Sequence, residues 1–223
     1  MTWTASLPAI DPARRRELML KRLFDVAAAL GGLLLLGPVI AGVAAAVWLT
    51  MGPPVVFRQH RLGYRGRVYT LLKFRTMTDA RDAQGALLPD AVRLTRAGRF
   101  LRSTTLDELP ELINVLRGEM SVVGPRPLLP EYWPLYTAAQ RRRHDMPPGM
   151  AGPVLAEGRN LLSWDEKFAL DVWYVDHWSL GLDLRIVLRT LWKVLRREGV
   201  SPPDAVTMPR FEGTGARKDG PLE

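Results

Sequence analysis

The chain has 223 residues, which fits one modest domain or one domain plus an anchor, and 31 Lys and Arg against 23 Asp and Glu give a formal net charge of +8 at pH 7. That balance favours anionic partners: nucleic acid, anionic lipid headgroups or phosphorylated substrates. The absence of cysteine excludes a disulfide framework and a thiolate zinc site, and the three histidines are too far apart in the sequence for a histidine metal site.

A long segment without charged residues runs from residue 26 to residue 57. About 20 apolar residues are enough for a membrane helix, and this segment is too long and too uncharged to be typical of the core helix of a soluble protein. A cleaved signal peptide is disfavoured as well, because the apolar run is too long and no small-residue cleavage site is followed by features of a secreted protein. The segment therefore predicts a helix in the membrane.

Two features separate this helix from an ordinary membrane span. Basic residues flank it on both sides, so the preference of Lys and Arg for the cytoplasm gives it no orientation. Gly37 and Pro38 lie near its middle, where the proline removes a backbone donor and predicts a kink or a break. A helix that enters one leaflet and returns fits both features, whereas a kinked spanning helix fits only the second. The residues alone leave both readings open.

After the membrane segment, residues 55–77 predict a β-hairpin with its turn at residues 63–66. Alternation along the second strand places Lys73 and Arg75 side by side on one face. That face is either a solvated strand surface or an anion-binding pair. Residues 78–92 are polar and predict a loop.

The next motif joins a run of arginines to two adjacent carboxylates, Asp107 and Glu108. Thr105 and Glu108 have the spacing of a capping box, which would make Glu108 a structural residue and place Asp107 in a helix first turn that favours negative charge. Adjacent acids among anion-binding groups also fit phosphate chemistry. The arginines recur every three residues, as on one helix face, with Gly98 interrupting the run: Arg93, Arg96, Arg99 and Arg102.

The helix after these acids is predicted to end at Gly118, followed by a short strand over residues 120–123 and a stiff turn that holds Arg126 between two prolines. That setting suits a fixed anion contact, with a plain structural turn as the alternative.

Two helices are predicted in the last third of the chain. Ser163 and Glu166 form a capping box that opens the first. The second, over residues 184–197, combines an apolar face carrying Trp192 with a basic face, and fits either a membrane surface or the protein core. From residue 199 onward, Pro, Gly and charged residues predict a disordered tail.

Seven short motifs occur in an order that resembles the bacterial sugar transferase family, the monotopic phosphoglycosyl transferases. They are KRLFD at 21–25, FRQ at 57–59, RLG at 61–63, KFRTM at 73–77, LDELP at 106–110, NVLRG at 114–118 and VGPRP at 123–127. The resemblance covers residues 21–197. It implies an α+β, mainly α fold: a compact cytoplasmic domain with a small β-hairpin, interfacial amphipathic helices, and a re-entrant membrane helix broken at Pro38.

The domain boundaries expected from the motifs and the resemblance are a flank at 1–20, the re-entrant helix at 21–54, the catalytic domain at 55–198 and the tail at 199–223. The resemblance also implies that family members transfer a sugar 1-phosphate from a UDP-sugar to polyprenyl phosphate and release UMP, as a first membrane step of capsule, exopolysaccharide or glycoconjugate assembly. The expected location is the cytoplasmic face of the bacterial inner membrane. Polyprenyl phosphate, membrane lipid and a homodimer partner are the expected partners, without nucleic acid.

Carried over residue by residue, the resemblance places the family nucleophile at Asp107 and the second acid at Glu108. Basic residues around the substrate phosphates fall at Lys73, Arg102 and Arg126, and Arg75 belongs to the same motif. The expected cofactor is Mg²⁺, for which Asp107 and substrate oxygens are sufficient ligands. This sequence departs from the family pattern in two places: Gly37 stands where a serine is commoner, and residues 151–159 differ from the usual glutamine-containing turn.

An aspartate carboxylate can act as a phosphoryl nucleophile, so the residues are consistent with a two-step reaction through a phosphosugar bound to Asp107. Glu108 would then orient the attacking group or help to deprotonate it. Two other classes stay open at this point. A membrane-anchored nucleic-acid-binding protein would explain the charge, although the sequence has no recognisable motif of that kind. A non-catalytic membrane scaffold would explain the anchor but not the two acids.

Overall fold

The computed structural model describes residues 12–157, 162–196 and 210–214. The helices are α1 (Pro12–Met51), α2 (Asp90–Arg93), α3 (Arg96–Ser103), α4 (Glu111–Arg117), α5 (Ala138–Arg141), α6 (Pro153–Glu157), α7 (Trp164–His177) and α8 (Leu180–Arg196). The strands are β1 (Val56–Leu62), β2 (Val68–Phe74), β3 (Ser121–Val123) and β4 (Gly149–Ala151). The described fold is thus mainly helical, as the resemblance implies, with two small sheets, of which the β-hairpin was expected.

The predicted hairpin is confirmed. β1 and β2 pair antiparallel, with Leu62 opposite Val68 next to the turn and Val56 opposite Phe74 at the far end. A 3-10 helix over Tyr64–Gly66 forms the turn. The predicted strand near residues 120–123 is also found as β3, and it pairs in parallel with β4. The second sheet holds the loop after β3, which carries Arg126, against the segment that includes residues 147–151.

Helix α1 runs without interruption from Pro12 to Met51 and includes Pro38. The kink or break predicted at Gly37 and Pro38 does not interrupt the helix. Proline removes one N–H donor and its ring crowds the preceding turn, but the residues on both sides of Pro38 stay helical. Whether α1 turns back within one leaflet stays a prediction.

One side of α1 contacts the rest of the protein and the other carries exposed apolar residues. Ala29 packs with β2 and α4, and Val43 and Val47 pack with Phe74 and Leu101. By length and composition α1 could cross a membrane, and only 11% of its most apolar 18-residue window is buried, unlike a soluble core helix. Leu34 and Leu35, at its centre, are 82% and 80% exposed.

Helix α3 contains only part of the predicted arginine face, because Arg93 belongs to the separate short helix α2. Gly98 does not interrupt α3 but lies inside it. A Cβ at Gly98 would stand 1.9 Å from the carbonyl oxygen of Thr76, so glycine allows α3 to lie directly against the backbone that follows β2.

Helices α7 and α8 complete the described fold. The capping box of Ser163 and Glu166 is confirmed at the start of α7. In α8, Asp183 and Ile186 are buried, whereas the predicted apolar face is exposed at Leu184, Leu188, Leu191 and Trp192. The core-facing reading of that face is therefore wrong for these four residues. They form an apolar surface bordered by basic side chains.

The predicted disordered tail lies mostly outside the described residues. Within it, residues 210–214 are described, and Phe211 is buried in an aromatic cluster. Its ring centroid is 5.0 Å from that of Phe168 and 5.5 Å from that of Trp164. Thr214 accepts a hydrogen bond of 2.6 Å from Gln140. The other predicted domain boundaries stay predictions.

Candidate active site

Asp107 and Glu108 lie in a 3-10 turn over Leu106–Glu108, just before α4. Thr105 precedes the turn in a left-handed conformation, with φ of 56°, and its side chain makes no capping hydrogen bond. The predicted capping box is therefore wrong. Such a backbone costs a β-branched residue roughly 1–3 kcal/mol and persists only where the surrounding structure imposes it. Here it turns both acids into the protein, where they are 9% and 8% exposed.

Glu108 binds two cations instead of a helix N-terminus. Its Oε1 accepts a hydrogen bond of 2.6 Å from Lys73 Nζ and one of 3.3 Å from the Arg126 guanidinium. Lys73 comes from β2, and Arg126 follows β3 in the chain. Glu108 thereby brings together two of the basic residues that the sequence places around substrate phosphates.

Two contacts fix the loop that carries Arg126. The N–H of Gly124 donates to the carbonyl of Ala151, and a Cβ at Gly124 would stand 2.2 Å from the carbonyl oxygen of Pro147. The buried Arg143 guanidinium donates to the carbonyl of Arg126 at 2.6 Å and to the Asp171 carboxylate at the same distance. A buried ion pair therefore positions the Arg126 backbone.

Asp107 is the acid with an available carboxylate. In the part of the chain that the structure describes, no group donates a hydrogen bond to it. Burial and the neighbouring Glu108 carboxylate raise the pKa of Asp107 to about 6. Three cations oppose this rise, namely Lys73, Arg102 and Arg126. At neutral pH a carboxyl group with this pKa is mainly ionised.

Arg102 reaches the site from α3. Its Nε donates a hydrogen bond of 3.1 Å to Thr76 Oγ1, and its positive charge acts on Asp107. Arg75 does not join the group around Glu108. Its guanidinium donates to the carbonyl oxygens of Pro53 and Met77 and to the carboxylate of Asp79. A direct phosphate contact for Arg75 stays a prediction.

Two further residues line the site and were not predicted from the sequence. Glu111 Oε1 is 3.1 Å from Lys73 Nζ, and Arg61 lines a small cleft together with Lys73, Glu111 and Arg126. The sequence signal for Glu111 is its position three residues after Glu108, the spacing of side chains on one helical face. For Arg61, the signal is its inclusion in the RLG motif.

Asn114 connects the two elements that carry the site, β2 and α4. Its side chain accepts a hydrogen bond of 3.0 Å from the N–H of Leu72 and donates one of 2.8 Å to the carbonyl of Thr70. It also donates to Glu119 at 2.6 Å. Because Lys73 directly follows Leu72, these bonds fix the strand that carries it against α4, which begins just after Glu108.

The residues fit a magnesium ion only in part. Within the described ranges, no three His, Asp or Glu residues are arranged to hold a metal ion. Lys73 and Arg126 already occupy Glu108, which leaves Asp107 as the available carboxylate. Mg²⁺ commonly keeps several waters and binds one or two carboxylates plus substrate phosphates. The site therefore fits Mg²⁺ that binds together with a phosphorylated substrate.

Comparison with known sequences identifies the family. The sequence model described as bacterial sugar transferase matches residues 16–197, which is most of the chain.

The chain belongs to the bacterial sugar transferase family.

It is an enzyme, a phosphoglycosyl transferase. Bacillus subtilis (strain 168) EpsL, named an uncharacterized sugar transferase, is 53% identical over 198 residues, which cover 89% of this chain and 98% of EpsL. The exopolysaccharide production protein ExoY of Rhizobium meliloti (strain 1021) is 38% identical over 198 residues, or 81% of this chain and 88% of ExoY.

A third relative is longer than this chain. The Klebsiella pneumoniae protein named UDP-glucose:undecaprenyl-phosphate glucose-1-phosphate transferase is 35% identical over 198 residues. The match covers 84% of this chain but only 43% of the relative. This chain therefore corresponds to less than half of the Klebsiella protein.

Proposed function

We propose that this protein transfers a sugar 1-phosphate from a UDP-sugar to undecaprenyl phosphate and releases UMP. The observation that carries the proposal is the buried Asp107 carboxylate, which no described group hydrogen-bonds, beside a glutamate that binds Lys73 and Arg126. The name of the Klebsiella relative supports the choice of donor and acceptor. The product would begin the assembly of a membrane-bound glycan.

In the first step, an Asp107 oxygen attacks the phosphorus next to the sugar. A bond forms between that oxygen and phosphorus, the bond from phosphorus to the bridging oxygen breaks, and UMP leaves with the electron pair. Two anionic phosphoryl groups would repel the attacking carboxylate, so Lys73 and Arg126 serve to offset their charge. Mg²⁺, when bound, would supply further positive charge at the transferred phosphoryl group.

In the second step, a phosphate oxygen of undecaprenyl phosphate attacks the same phosphorus, and the bond to Asp107 breaks. The product is undecaprenyl diphosphate linked to the sugar, and Asp107 is regenerated as a carboxylate. A phosphate monoester has its second pKa near 6, so near neutral pH the acceptor needs little help from a base. Glu108 therefore serves chiefly to hold Lys73 and Arg126 in place, rather than to remove a proton.

The protein would rest on the cytoplasmic face of the bacterial inner membrane with α1 dipping into one leaflet. Both halves of α1 contact the same domain, through Ala29 in the first half and through Val43 and Val47 in the second. That arrangement supports membrane contact from one side. The exposed apolar face of α8, with Trp192 among basic residues, supports a second contact at the headgroup level.

The test is UMP release by the purified full chain with a panel of UDP-sugars, undecaprenyl phosphate and Mg²⁺. The wild type is expected to release UMP with at least one sugar, and Asp107→Asn is expected to lose this activity. Asp176→Asn is the matched control, because it makes the same chemical change at an exposed carboxylate of α7, which pairs with Arg142. Near-normal turnover by Asp107→Asn would exclude the covalent intermediate.

A further inference from the structure

The small cleft beside Glu108 is lined by a carboxyl group that neither reaction step uses, that of Glu111. Glu111 is 3% exposed and lies at the start of α4. Arg61 and Arg126 line the same cleft with Lys73, and Pro127 borders it. A buried acid among cations that are expected to bind phosphate is unusual, because it adds negative charge where an anion must enter.

Glu108 and Glu111 share a single ammonium group. Lys73 Nζ is 2.6 Å from Glu108 Oε1 and 3.1 Å from Glu111 Oε1. A diphosphate that enters the cleft needs this same ammonium group. If Glu111 is ionised, the diphosphate also meets a buried like charge, which weakens its binding; a neutral Glu111 does not oppose it.

We propose that Glu111 is a positioning residue that sets the affinity of the cleft for its anionic donor. When ionised, it draws Lys73 towards itself and away from the donor phosphates. When neutral, it leaves Lys73 to Glu108 and the donor. The inference rests on the proposed function, because the donor in question is the UDP-sugar.

The surroundings of Glu111 place this change of charge close to neutral pH. Burial and the neighbouring Glu108 carboxylate together raise the pKa of Glu111 to about 7, against the opposing effects of Lys73 and Arg126. The ionisable groups that face Glu111 come from every element packed around it: Arg61 on β1, Tyr69 and Lys73 on β2, Glu108 in the 3-10 turn and Arg126 after β3.

The experiment measures UDP binding by isothermal titration calorimetry with the full chain in lipid nanodiscs, at about pH 6 and about pH 8. Glu111→Gln keeps the side-chain shape and removes the charge, so it stands for the neutral form. The titration of UDP itself is common to all variants. The ratio of the wild-type Kd to the Glu111→Gln Kd therefore reports on Glu111 alone.

We take bound UDP to raise the pKa of Glu111 by about one unit. The ratio of the two Kd values should then be close to one at the lower pH and about five at the higher pH. Glu111→Asp keeps a carboxyl group and should retain the pH dependence. Glu131→Gln is the control for net charge, because it makes the same chemical change at a side chain that is 67% exposed. It should behave as the wild type.

Steady-state UMP release separates this inference from the proposed reaction. At the higher pH, Glu111→Gln should lower the KM for the UDP-sugar and leave kcat unchanged. A Kd ratio that does not change with pH, or no UDP binding at all, would overturn the inference. UMP release together with a constant ratio overturns the inference alone, whereas a pH-dependent ratio without UMP release overturns the reaction alone.

Discussion

Replacement of the buried Asp183 by Asn is expected to destabilise the protein more than replacement of both Asp183 and its ion-pair partner. Asp183 Oδ2 is 2.5 Å from Lys21 Nζ, and the two side chains are 0% and 1% exposed. Asp183 also accepts hydrogen bonds from Tyr174 Oη at 2.7 Å and from Trp178 Nε1 at 3.0 Å. The pair connects α1 to α8.

The single variant Asp183→Asn leaves the Lys21 ammonium group buried without its counter-charge. Asp25 offsets part of this charge electrostatically, but its Oδ1 is already engaged by hydrogen bonds from Ser121 Oγ and the N–H of Val122. Breaking a buried ion pair by removing one partner costs about 3–5 kcal/mol. For a chain of this size that lowers Tm by about 6–20 °C.

The double variant Lys21→Met, Asp183→Asn buries no charge, and the amide oxygen introduced in place of the Asp183 carboxylate still accepts from Tyr174 and Trp178. The free energy of unfolding should therefore fall less in the double variant, by about 1–2 kcal/mol, which is the scale of a few weakened hydrogen bonds. Unfolding is followed by tryptophan fluorescence in detergent, and the four proteins form a double-mutant cycle. Glu157→Gln, which removes an exposed pair with Arg189, is the control and should cost less than about 1 kcal/mol. If the loss of unfolding free energy in the double variant equalled the sum of the losses in the two single variants, the reasoning would be refuted.

Three other outcomes are expected. Asn114→Leu leaves two backbone groups of β2 unpaired, so it should lower the free energy of unfolding by about 2–5 kcal/mol, measured by thermal unfolding. It should also reduce kcat. An unchanged kcat would show that Asn114 does not position Lys73. Within the described residues the buried His144 Nε2 has no hydrogen-bond partner, and burial lowers the pKa of His144 to about 3. The His144 contribution to the free energy of unfolding should therefore fall by about 1.4 kcal/mol per pH unit below about 6.5, and the difference between the wild type and His144→Gln should show that slope. Because the chain has no cysteine, the variants Glu17→Cys and Arg58→Cys each carry a single thiol, one on either side of the apolar part of α1. A membrane-impermeant maleimide should label neither variant in intact cells and both variants in inverted vesicles. Labelling of one variant in intact cells and of the other only in inverted vesicles would refute re-entry.

The hairpin, the start of α7 and the end of α4 followed from the sequence because each depends on local chemistry. Alternating side chains define β2, Ser163 and Glu166 form their capping box, and Gly118 adopts the left-handed conformation that ends α4. These features need no knowledge of distant residues. Local chemistry was sufficient where the decisive contacts lie within a few positions.

Elsewhere distant contacts decide the structure. The capping box at Thr105 was predicted from spacing, but Lys73 and Arg126 bind Glu108 from 35 and 18 residues away. Spacing could not show which of these competing partners binds. The same limit applies to Phe211, whose aromatic neighbours lie between residues 132 and 168. The grouping of Lys73, Glu108 and Arg126 followed from the family resemblance rather than from local pattern.

The pairing of Lys21 with Asp183 also bears on the order in which the protein is made. The two residues are 162 positions apart, and at about 5–20 residues per second a ribosome adds the second about 8–32 s after the first. Throughout that interval α1 already exists, while the helix that neutralises its buried lysine does not. We therefore expect α1 to enter the membrane first, with Lys21 held at the headgroups, and the catalytic domain to fold afterwards on a helix that is already anchored.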